Sequence, residues 1–121
     1  MDKILEIKNL VIDFESKEST FRAVKNISLA IEKGKTLSLV GESGSGKSVT
    51  ALSVLQLLPE GTVRYSKDSS IEFEKTEIIN SSKKDITSLR GNKISMIFQE
   101  PMTSLNPYQK VGYQIDESLI I

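Results

Sequence analysis

An α/β fold organised round a phosphate-binding loop, with an antiparallel β subdomain at its N-terminal end, is predicted by three stretches of the sequence. Residues 41–48 carry Gly41, Gly46, Lys47 and Ser48 in the pattern G-x-x-x-x-G-K-[ST], between an apolar run and a helical pattern. Residues 4–31 alternate apolar and polar side chains, as two paired strands do. Residues 36–40 and 93–98 are short, mostly apolar runs of the kind that parallel strands covered on both faces require.

In chain order, Leu5 and Ile7 oppose Glu6 and Lys8, and then the phase slips so that Leu10, Ile12 and Phe14 oppose Val11 and Asp13. A strand over 4–14 with a bulge near Asn9 accounts for the slip. Polar residues 15–20 read as a hairpin loop, and 21–31 as a second strand with Ile27, Leu29 and Ile31 on one face, ended by a turn at Lys33 and Gly34. The run 36–40, bounded by Gly34 and Gly41, predicts the first strand of a parallel core.

After the loop, Val49, Ala51, Leu52, Val54, Leu55, Leu57 and Leu58 cover most of a helix that Pro59 stops, so that only a stripe of Thr50, Ser53 and Gln56 is expected to face water. Ile71 and Phe73 then alternate with Glu72 and Glu74, and the charged stretch 72–77 reads as a solvated edge. Residues 82–89 carry a weak helical pattern ending at Gly91, and 93–98 predict a strand. A loop bracketed by Pro101 and Pro107 follows, and 111–121 form an amphipathic helix with Val111, Ile115, Leu119 and Ile120 apolar.

The 121 residues, 38% apolar and 26% charged, suit one small soluble domain. Sixteen basic residues balance sixteen acidic ones, so no nucleic-acid partner is expected from charge. With no cysteine, disulfide frameworks and thiol catalysis are excluded. No histidine is present either, which removes the commonest general base. No apolar run approaches the roughly 20 residues that span a bilayer.

The chemistry of 41–49 follows from its residue types. Successive backbone N–H groups across Gly41, Glu42, Ser43, Gly44, Ser45 and Gly46, opening into a helix at Lys47, Ser48 and Val49, make an anion site at the positive end of the helix. Glycines at 44 and 46 allow backbone conformations and approaches that a Cβ would obstruct. Lys47 supplies a mobile charge for β- and γ-phosphates, and Ser48 a hydroxyl for the Mg2+ between them. Mg-nucleotide binding, with ATP as the cofactor, is the expectation. Hydrolysis needs an acidic residue at the end of a further strand, and neither Asp85, Asp116 nor Glu117 follows such an apolar run.

Together, the two early strands, the loop with Val49 and Thr50 after it, and the stretch 94–107 resemble the ATP-binding subunits of ABC transporters, most closely those of dipeptide, oligopeptide and nickel importers. The resemblance implies a P-loop NTPase fold of the ABC nucleotide-binding type, incomplete, with residues 1–121 as the N-terminal part of a single ATP-binding domain. It makes Gln99 the Q-loop glutamine, which positions Mg2+ and water, and the loop after it the contact with permease membrane subunits. It makes Phe14 the aromatic residue that stacks on adenine, although the phase of Phe14 also suits a core strand, and Phe21 is the other candidate.

The family's Leu-Ser-Gly-Gly-Gln signature, its second metal-binding aspartate with the catalytic glutamate, and its switch histidine are absent from these residues. A truncated or split product is therefore expected, marginally stable or aggregation-prone because Leu37, Leu39, Ile94 and Ile97 lack their normal neighbours and leave parallel edges exposed. It should bind Mg-ATP weakly and not hydrolyse it alone. The implied partners are the permease, a second ATPase subunit and, indirectly, an extracytoplasmic substrate-binding protein, with the chain peripheral on the cytoplasmic face of the cell membrane. Two other readings stay open: a self-contained P-loop kinase or small NTPase, for which only Arg64 and Arg90 follow the loop, and a non-catalytic fragment that docks on a permease.

Overall fold

A computed structural model describes residues 2–42, 44–99 and 106–120. Two compact units divide the chain, Met1–Ser82 and Lys83–Ile121.

The first unit is built on a long antiparallel hairpin of β1, Lys3–Glu15, and β2, Thr20–Glu32, closed where the Ser16 amide donates to the Ser19 carbonyl at 2.9 Å. The phase slip near Asn9 is a bulge, as its pattern predicts: Ile7 pairs with Leu29 and Leu10 with Ile27, so β1 carries one extra residue. Asn9 takes φ 50°, and its amide donates to Ser28 Oγ at 2.9 Å. One step later β2 carries the extra residue, Asn26 at φ 61°, between the pairs Leu10 with Ile27 and Val11 with Lys25. The two insertions lie on opposite strands and cancel, restoring register. Asparagine tolerates the left-handed region better than most side chains, and both of these central bulges use it, while two further shifts lie between Lys3 and Leu5 and between Ile12 and Asp13.

The other edge of β1 is shared. β4, Ser70–Phe73, pairs with Leu5 to Lys8, and β3, Val63–Tyr65, pairs with Ile12 to Phe14. Between them Ser69 takes the place of a ladder residue: its Oγ accepts from the Val11 amide at 2.9 Å and donates to the Asn9 carbonyl at 3.2 Å. A short edge strand β5, Thr76–Glu77, follows a two-residue turn in which Glu74 and Lys75 both have positive φ, the backbone of a type I′ hairpin. Ile7, Leu10, Ile12, Val24, Ile71 and Phe73 bury one face of this sheet, as the alternation requires.

On β1, the carboxylate of Asp13 takes a forked pair of bonds from Arg22, 2.8 Å from Nε and 3.2 Å from Nη2. That hydrogen bonding, aided by the guanidinium charge and opposed by desolvation, holds Asp13 below the usual aspartate range. Because the shift is downward, the pair contributes above the ordinary aspartate value and is lost as pH falls through the lowered one. Carboxyl NMR titration is expected to find the Asp13 midpoint below that value and to see it rise in Arg22→Ala.

Helix α1, Lys47–Val54, corrects the expected orientation of the helix after the loop. Thr50 and Ser53 are buried, at 2% and 0% exposure, whereas Ala51 is exposed. Gly46, Thr50 and Ser53 form one stripe at i, i+4 and i+7, and a Cβ on Gly46 would lie 2.7 Å from the Ala23 carbonyl oxygen of β2. So close an approach admits only small side chains along that stripe. Their hydroxyls are satisfied within the helix, Thr50 Oγ1 donating to Gly46 O at 2.8 Å and Ser53 Oγ to Thr50 O at 2.6 Å, so burial leaves no polar group unpaired.

The expected parallel strands are also corrected. Residues 36–40 join no ladder, and Leu37, Leu39 and Val40 are exposed, Val40 at 86%. Residues 93–98 make only a single bridge, Ile94 with Arg90, and Ile97 is 97% exposed. An apolar run specifies a two-sided strand only where neighbouring strands exist to pair with it, and among the described residues neither run has one.

In the second unit, α2, Lys83–Leu89, gives way to a turn in which Gly91 takes φ 72°, in keeping with the expected glycine stop. Helix α3, Val111–Ile120, is opened by Asn106, whose amide donates to Gln114 Oε1 at 2.7 Å while Gln114 Nε2 donates back to Asn106 O at 2.9 Å. The side chains of Val111, Tyr113 and Ile115 are exposed.

Candidate phosphate site

The loop that precedes α1 is shaped by two glycines. Gly44 has φ 83° and Gly46 φ 97°, and Gly46 is the residue from which the helix starts. The first helical bond of α1 runs from the Thr50 amide to the Gly46 carbonyl at 2.9 Å. The amides of Lys47, Ser48 and Val49 therefore precede the i→i−4 ladder and point out of the helix start, toward its positive end.

Lys47 folds over this loop, its ammonium donating to the Gly41 carbonyl and, at 3.1 Å, to that of Glu42. A second bond, Ser45 N to Glu42 O at 3.1 Å, tightens the turn. A Cβ on Gly41 would lie 2.6 Å from Ser45 Oγ, so the absence of a side chain there is part of the loop's shape. Ser48 is exposed and Val49 half-buried, while Ser43 lies outside the described residues. The amides of the helix start, two left-handed glycines and a lysine ammonium form a donor set that fits a phosphate, and an exposed hydroxyl beside them fits the oxygen preference of Mg2+.

Thr50 received no role from the sequence, yet its amide and its hydroxyl both donate to Gly46 O and so pin the glycine on which the loop turns. A Ser or Thr four residues after the last loop glycine is the available signal, since such side chains bond back to the i−4 carbonyl.

Phe14 is half-buried in β1, opposite Phe21 on β2 and Val63 on β3, and Phe21 is 65% exposed. Gln99 is exposed in the second unit, and the loop expected after it, through residue 105, lies outside the described residues.

A family comparison decides the kinship. The ABC transporter profile matches residues 24–118, from within β2 through the loop and α1 to within α3. The chain belongs to the ABC transporter family. Within this family it falls with proteins of oligopeptide and dipeptide transport. It is 44% identical over 117 residues to the oligopeptide transport ATP-binding protein OppD of Bacillus subtilis, covering 97% of this chain and 32% of that protein. Against the dipeptide transport ATP-binding protein DppD of the same organism it is 42% identical over 120 residues, 99% of this chain and 36% of the relative. A third ABC relative, the uncharacterized ATP-binding protein YejF of Escherichia coli, is 48% identical over 116 residues, 96% of this chain and 22% of its own length. The chain thus spans about a third or less of these relatives.

Proposed function

We propose that this chain is the nucleotide-binding portion of an ATPase subunit that energises an ABC importer of peptides or nickel. The observation that carries the reading is the loop itself, in which the Lys47 ammonium folds onto the carbonyls of Gly41 and Glu42 beside the start of α1, where the amides of Lys47, Ser48 and Val49 lie. These groups hold the β- and γ-phosphates, with residues 41–46 as the cradle, and Ser48 offers its hydroxyl to Mg2+. ATP supplies the phosphoanhydride whose cleavage drives transport.

In this reading Phe14 stacks on adenine, Gln99 positions water and metal, and the loop beyond Gln99 meets the permease. A second ATPase subunit and an extracytoplasmic substrate-binding protein complete the assembly. No helix among the described residues is long and apolar enough to cross a membrane, which suits a subunit peripheral to the inner face of the cell membrane.

These 121 residues contain no histidine and no Leu-Ser-Gly-Gly-Gln stretch, so the chain alone binds Mg-ATP weakly and does not turn it over. Calorimetric titration with Mg-ATP is expected to give saturable binding that weakens without Mg2+, with no phosphate release over hours. Failure to bind at millimolar ATP, or steady turnover that disappears in Lys47→Ala, contradicts the reading.

A further inference from the structure

Gln56 stands in a conformation that its residue type does not favour. Six non-glycine residues among those described have positive φ; three are asparagines, and Glu74 with Lys75 forms the hairpin turn, which leaves Gln56 at φ 54°. It occupies the position just past the end of α1: the Gln56 amide donates to Ser53 O at 3.1 Å and the Leu57 amide to Leu52 O at 3.0 Å, the two bonds of a Schellman cap. Glycine is the usual residue there, and a side chain in this region costs about 1–2 kcal/mol. An outlier of this kind points to work done by the side chain.

That side chain reaches into the sheet. Gln56 Nε2 donates to Ser53 O at 2.6 Å and to the Tyr65 hydroxyl at 3.2 Å. Burial pushes the Tyr65 phenol above its usual value, with the Gln56 bond pulling the other way, so near neutral pH the hydroxyl keeps its proton and accepts through a lone pair. Tyr65 pairs with Ile12 and Val63 with Phe14, which sets Tyr65 and Phe14 on the same face as diagonal neighbours, within reach of aromatic side chains. One bond therefore joins the far end of the phosphate-loop helix to the strand that flanks Phe14.

We propose that Gln56 and Tyr65 are positioning residues that hold Phe14 in register with the phosphate loop, so that the base and the phosphates of one nucleotide are bound together. The inference rests on the reading that the loop binds phosphates and Phe14 the base. It predicts a split between ligands that share phosphates and differ in having a base. In Gln56→Gly and in Tyr65→Phe, affinity for Mg-ATP falls about five-fold, the worth of one lost hydrogen bond, while affinity for Mg-tripolyphosphate stays within about two-fold.

Gln56→Gly also separates positioning from stability, because glycine relieves the left-handed strain and its unfolding midpoint is expected not to fall. Binding of both ligands by wild type, with an ATP to tripolyphosphate ratio unchanged in both variants, overturns this inference and leaves the proposed function standing. Equal losses for the two ligands overturn it as well. Binding of neither ligand by wild type overturns the proposed function and the inference together.

Discussion

Lys47→Ala is expected to weaken Mg-ATP binding by about ten-fold or more, the worth of a hydrogen bond to a charged group, while the far-ultraviolet circular dichroism stays that of wild type. Among the described residues the ammonium bonds to the carbonyls of Gly41 and Glu42 in its own exposed loop, so its removal is expected to leave the sheet and α1 intact. Nothing else in residues 41–49 carries a positive charge, and the helix dipole together with three amides is left to hold the anion. Isothermal titration reads the loss directly. Unchanged affinity in a folded variant removes Lys47 from the site.

Gly46→Ala is expected to be the most damaging glycine replacement in the loop, costing about 2–5 kcal/mol by urea denaturation. A left-handed conformation contributes about 1–2 kcal/mol of this for any side chain. The rest, about 1–3 kcal/mol, comes from a Cβ placed 2.7 Å from the Ala23 carbonyl oxygen, since that oxygen belongs to β2 and cannot turn aside like a flexible side chain. Gly44 provides the control. It too has positive φ, but nothing lies within 4 Å of its missing Cβ, so Gly44→Ala bears only the conformational cost. Against a total stability of about 5–15 kcal/mol for a small domain, the difference between the two variants is easily measured. Equal midpoints for Gly44→Ala and Gly46→Ala contradict the close packing of α1 on β2.

What could be read ahead of the structure was whatever the local pattern alone determines. The slip from Ile7 to Leu10 announces the bulge at Asn9, Ile71 and Phe73 announce β4, and the glycine-lysine-serine spacing announces the start of α1 at Lys47. Features set by a neighbour were not legible. The stripe of Thr50 and Ser53 looks solvent-facing until Gly46 is seen against Ala23, because polarity forecasts exposure only when the hydroxyls have no carbonyl of their own to bond.

Asn26 gives no phase slip of its own in the sequence, since its bulge compensates the one at Asn9. Glu74 and Lys75 lack the Asn-Gly or Asp-Gly signature of the turn they make. The runs 36–40 and 93–98 have the composition of buried strands, but composition cannot supply the partner strand, and they are exposed here. Of the site, residues 41–42 and 44–46 form a loop that runs into the start of α1 at 47–49, as their spacing predicts, whereas the binding roles of these residues, of Phe14 and of Gln99 await a nucleotide.

The most direct test of nucleotide binding at this loop is an amide NMR titration of the chain with Mg-ATP. The account predicts the largest shifts at Gly44 to Val49, where the amides of the helix start meet the phosphates. Shifts confined to another region, such as the charged groove lined by Lys3, Glu6, Lys33, Glu72, Glu74 and Lys75, would contradict it.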